Sequence, residues 1–91
     1  MHYELGQIQS KMEEGALPLV PPVKVSAAYG TGHACAGCDA EIYRTEVMHE
    51  AVLPGGRTLA FHGACELAWR ELIAGRLALA YSGLPARSPS R

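Results

Sequence analysis

Cys35-Ala36-Gly37-Cys38 and His62-Gly63-Ala64-Cys65 are the two stretches that decide how this chain is read. Together they make a C-x2-C…H-x2-C quartet. Zinc takes four nitrogen or sulfur ligands at the corners of a tetrahedron, and two closely spaced pairs supply two of its edges. A C-x2-C on a tight turn aims both sulfurs at one point, and Gly37 lets the backbone twist and approach closely there. Asp39, just after the pair, tolerates a left-handed backbone. At the other end His62 closes a predicted strand and Cys65 falls in the first turn of a predicted helix. The helix dipole there favours the thiolate that zinc requires.

Other readings of the same residues are weaker. A redox C-x-x-C belongs near a βαβ unit, and none precedes Cys35. Free cysteines are often plain core residues, but that reading leaves the paired spacing unexplained. A catalytic zinc keeps a coordination position open, whereas three thiolates and an imidazole fill all four. The expectation is one structural Zn2+ held by Cys35, Cys38, His62 and Cys65, with no catalytic residues and no enzyme activity.

Between the two pairs, Leu53-Pro54-Gly55-Gly56 places Pro and Gly where a type II turn needs them. A hairpin with arms Glu46–Leu53 and Arg57–His62 follows. Val47, Met48, Ala51 and Val52 also suit a helical face, so the turn decides the first arm. Beyond the second pair, Cys65, Ala68, Trp69, Leu72 and Ile73 mark one face of a helix over residues 63–74, while Glu66 and Arg70 pair at i, i+4 on another. Gly75 ends this helix, or it runs on through Leu77–Tyr81. Trp69 and Phe61 are read as core, His33 as solvent-facing, and His49 and Glu50 as a solvated strand face.

Upstream, Leu5, Ile8 and Met12 share a face of a short helix, with Glu4, Lys11 and Glu13 turned to solvent and Gly15 and Pro18 as its stop. That helix either docks on the zinc module or stays exposed for a partner. Pro18, Pro21 and Pro22 hold the following connector extended, and Gly30-Thr31-Gly32 loosens it. The lone G-x-G lacks a third glycine and a strand-to-helix context, so it is not a phosphate loop. The organisation is residues 1–15 helix, 16–32 connector, 33–75 zinc module and 76–91 a partly disordered extension. The fold class is small α+β.

Cys35, Cys38, His62 and Cys65, with a hairpin between and a helix starting at the second pair, resemble the treble-clef zinc finger. The spacing is similar to the first module of a LIM domain and to the poly(ADP-ribose) polymerase-type DNA-break finger. In such folds the first pair sits on a zinc knuckle and the second at the turn into the helix, which implies that all four residues are ligands. Gly30-x-Gly32-x-x-Cys35-x-x-Cys38, Ile42, Pro54-Gly55-Gly56-Arg57, Phe61-His62-x-x-Cys65 and Trp69 also look like a set of short, uncharacterised bacterial proteins, a likeness spanning roughly residues 1–75 that implies no activity. No cysteine follows Cys65, so a second LIM-type site is not expected.

The chain has 91 residues and a formal net charge of −1. Below roughly 70–80 residues a core seldom supplies more than about 3–5 kcal/mol, so a domain this small calls for a staple. Structural zinc contributes about 10–16 kcal/mol of apparent binding energy in small fingers, and that energy is folding energy. Three cysteines do not suit a disulfide framework. With no secretory start and no apolar run near the roughly 20 residues of a membrane span, the expected location is cytoplasmic, away from membranes. Residues 35–75 carry Arg44, Arg57 and Arg70 against Asp39, Glu41, Glu46, Glu50, Glu66 and Glu71. Phosphate contacts dominate nucleic-acid affinity, so this balance disfavours DNA or RNA and leaves a nucleic-acid-binding finger as the alternative. The favoured partner is another protein or a second copy of the chain.

Overall fold

The computed structural model describes residues 5–82, with side chains described as far as residue 76. Helix α1 spans Leu5–Glu14, strand β1 Lys24–Tyr29, β2 Val47–Val52, β3 Thr58–His62 and helix α2 Gly63–Ser82. The strands form one antiparallel sheet in the order β1-β2-β3, giving a small α+β fold.

The β2–β3 hairpin turns as expected. Gly56 N–H donates to Leu53 O at 2.9 Å, and Gly55 has φ 100°, the left-handed value a type II turn needs at its third position. Met48 pairs with His62 and Val52 with Thr58, so the hairpin carries His62 to the head of α2. β3 passes directly into α2 without a loop.

β1 was not expected. The segment read as a connector holds a six-residue strand, paired with β2 from Lys24↔Val52 to Tyr29↔Val47. Its side chains are mostly exposed, so it lacks the alternating apolar signal that marks a strand in sequence. Gly30 is also tighter than its loop-like setting suggests. A Cβ there would fall 2.2 Å from Tyr43 O and 2.6 Å from Ile42 O, so the chain crosses itself where only glycine fits.

The core joins α1, the sheet and α2. Ile8, Met12, Leu17, Phe61, Trp69 and Ile73 are all buried. The Phe61 and Trp69 rings stack with centroids 5.0 Å apart, and Trp69 Nε1–H donates to Pro18 O at 3.0 Å. The indole thus anchors the proline segment as well as filling the interior.

α1 docks. Ile8 and Met12 are buried while Leu5 stays exposed, and α1 packs against α2. Lys11, expected in solvent, instead donates to Ala36 O at 3.1 Å and pairs with Asp39. α2 continues through Gly75, the longer of the two expected helices. The disorder expected over residues 83–91 lies outside the described residues.

Candidate metal centre

The chain enters the centre through a small knuckle. Ala34 bridges Glu41, Cys35 N–H donates to Ala40 O at 2.8 Å, and Asp39 N–H returns to Cys35 O at 2.9 Å. Asp39 has φ 68°, the left-handed conformation its residue type tolerates. The turn is packed so closely that a Cβ on Gly37 would lie 3.1 Å from Cys65 Cβ and 3.3 Å from Ile8 Cγ1. Glycine here allows the knuckle, the helix start and α1 to meet.

Sγ of Cys35, Cys38 and Cys65 and one ring nitrogen of His62 all lie within 4.8 Å of one another. These four residues are positioned to bind a metal ion. Around zinc, bonds of about 2.3 Å to sulfur and about 2.0 Å to nitrogen put ligand atoms roughly 3.5–3.8 Å apart. The observed cluster fits that size with small adjustment, and Cys38 Sγ stands 3.4 Å from His62 Nδ1. Cys35 and Cys65 are buried, Cys38 and His62 half-buried. His33 is exposed and lies outside the cluster, as expected.

The surroundings orient and polarise each of the four side chains. His62 Nε2 lies 3.2 Å from Glu41 O and 3.3 Å from Glu46 Oε1, both acceptors. These acceptors place the ring proton on Nε2 and leave the Nδ1 lone pair facing the sulfurs. Such outer partners are what orient a metal-bound histidine. Glu46 is itself fixed, because Oε1 accepts the Tyr43 N–H at 2.8 Å. Glu46 has no sequence signal for this role beyond its place just before β2.

Negative charge concentrates on Cys35. The Cys65 thiol hydrogen-bonds to its sulfur, and the N–H groups of Cys38, His62 and Gly37 aim at it, which outweighs burial and lowers its pKa to about 4. Cys65 is correspondingly held protonated by its bond to Cys35, by burial and by the charge on the Cys35 sulfur, so its pKa is raised. Cys38 is raised too, chiefly by burial. Burial works against a charged His62, but the Cys35 sulfur, the Glu46 carboxylate and the Glu41 carbonyl reverse this and raise its pKa.

Beside the centre lies a polar strut. The expected Glu66–Arg70 pair forms, and the Glu66 carboxylate is fully buried. Its Oε1 accepts from Arg70 Nη2 at 3.0 Å, and its Oε2 lies 2.5 Å from Arg70 Nε. His49 Nδ1 reaches Oε1 at 2.9 Å. His49 is therefore part of an internal link between β2 and α2 and not a solvated face. Glu66 lies 17 residues further along the chain, so nothing local to His49 pointed to the carboxylate it meets.

Comparison with protein-family models, curated proteins and solved structures finds no match for this chain. No helix among the described residues is long and apolar enough to cross a membrane.

Proposed function

We propose that the chain is a single treble-clef-like module with one structural Zn2+ on Cys35, Cys38, His62 and Cys65, and that it works by binding another protein or its own copy. The observation that carries the reading is the saturated ligand set. Four N/S donors lie within 4.8 Å of one another, with the His62 tautomer set by Glu41 and Glu46. A set with no open position suits a metal that holds structure together, not one that activates water or substrate. The order knuckle, hairpin, helix, with ligands at the knuckle and the hairpin–helix junction, supports the treble-clef description. Three unpaired thiols among the described residues suit a reducing compartment such as the cytoplasm.

Zinc and three thiolates deepen the acidic balance of residues 35–75, which opposes phosphate binding. Retention of the zinc-loaded chain on heparin across a salt gradient tests this. No retention at low salt is expected; tight retention falling steeply with salt favours a nucleic-acid role instead.

A further inference from the structure

Among the described residues the outer edge of β1 is unpaired. Gly30 N–H donates to Glu46 O, which fixes the phase of the β1–β2 ladder. In an antiparallel pair the hydrogen-bonding direction alternates residue by residue. Lys24, Ser26 and Ala28 therefore bond to β2, while the N–H and C=O groups of Val25, Ala27 and Tyr29 point away from the sheet. Among the described residues no strand pairs with them. Nor is the edge defended in the usual ways, since residues 24–29 contain no proline and one charge, at the end.

Above this edge sits a shallow apolar depression of about 210 Å³ lined by Ala27, Ala28, Tyr29 and Val47. Tyr29 is 71% exposed and Val47 53%. α2 packs over β2 and β3 and leaves this part of the sheet uncovered.

We propose that β1 pairs antiparallel with β1 of a second copy, about a two-fold axis at Ala27, joining two three-stranded sheets into one of six strands. The inference rests on the reading of the chain as an interaction module and names its partner. The argument for a second copy is the strand's own complementarity. Outward-facing groups on both strands must meet, so an axis at Ala27 sets Val25 against Tyr29, Ala27 against Ala27, and Tyr29 against Val25. Each of these pairs exchanges two main-chain hydrogen bonds. Tyr29, which pairs with Val47 in its own copy, then meets Val25 of the other, an aromatic–β-branched pair of the kind that stabilises sheets. Only the small Ala27 meets itself at the axis. Lys24 falls opposite Gly30, so no like charges oppose each other. A joint of one strand pair is small, and its affinity belongs at the weak, transient end of protein interfaces.

The test is sedimentation of the full zinc-loaded chain over a wide concentration range, with variants at Ala27. The wild type dimerises. Ala27→Lys sets two ammonium groups face to face and weakens association about tenfold or more, and Ala27→Glu does the same with carboxylates. An equimolar mixture of the two variants recovers the dimer, because in this register residue 27 faces its own copy. Ala27→Pro removes an outward donor that β2 does not use, so it abolishes association while circular dichroism and metal content stay unchanged. A wild type that remains monomeric up to millimolar concentration overturns both the pairing and self-association. A dimer indifferent to Ala27→Lys and Ala27→Pro overturns the pairing alone.

Discussion

Glu46 shows how much one side chain outside the ligand set controls. Its carboxylate takes the Tyr43 N–H and faces His62 Nε2, so it holds the imidazole with Nδ1 toward the sulfurs. Losing such a partner typically costs 10–100-fold in metal affinity. Glu46→Ala is expected to weaken zinc binding by about that factor in a chelator competition, while nitrogen NMR of His62 shows the Nε2–H tautomer less well populated. Unchanged affinity would remove Glu46 from this role. The thiols set the pH dependence. With the pKa of Cys38 and Cys65 raised above the ordinary thiol value, both carry protons at neutral pH that the metal must displace. Protons compete, so affinity falls as pH falls, by roughly 100-fold per unit for two protons released. Below the raised pKa of His62 the imidazole proton adds to the competition. Zinc affinity measured from pH 8 to pH 6 checks the slope, and a flat profile would contradict the assignment of these sulfurs as ligands.

At the scale of elements, the crossing at Gly30 and the strut at Glu66 bind the sheet to what surrounds it. Gly30→Ala would press a methyl group onto two backbone carbonyls, and such overpacking costs about 1–3 kcal/mol. A urea melt is expected to show a loss at the upper end of that range. Glu66→Ala strands His49 and Arg70 without their common acceptor. The buried charge goes with the substitution and both partners reach solvent, so the loss is that of charge-assisted hydrogen bonds, about 1.5–3 kcal/mol. Glu71→Ala, on the exposed side of the same helix, serves as the control and is expected to stay within about 0.5 kcal/mol of wild type. The expected Glu66–Arg70 pair forms, but the crossing at Gly30, the burial of Glu66 and its link to His49 were not foreseen, and for one reason. Hairpin, turn and helix face are local: Leu53-Pro54-Gly55-Gly56 fixes its turn from within, and Trp69 with Ile73 follows the helical period. β1 is an edge strand with little to bury, so its sequence carries no period. Gly30 and Glu66 owe their roles to Ile42, Tyr43 and His49, which are neighbours only after folding. The clustering of Cys35, Cys38, His62 and Cys65 was legible because their spacing is itself the signal, whereas Glu46 has none.

For the whole molecule, the four clustered residues come from elements that a bound metal would tie together. Cys35 and Cys38 belong to the knuckle, His62 to the end of β3 and Cys65 to the first turn of α2. α1 leans on the same knuckle through Ile8, Gln7 and Lys11. If the metal supplies folding energy on the scale of small zinc modules, about 10–16 kcal/mol, its removal exceeds the few kcal/mol that so short a chain keeps in reserve. The most direct measurement is thermal unfolding by circular dichroism with and without a strong zinc chelator, on protein whose metal content has been weighed by native mass spectrometry. One zinc per chain and a cooperative transition that disappears on chelation are expected. A chain that melts just as cooperatively, and at the same temperature, after its metal has been stripped would contradict the account.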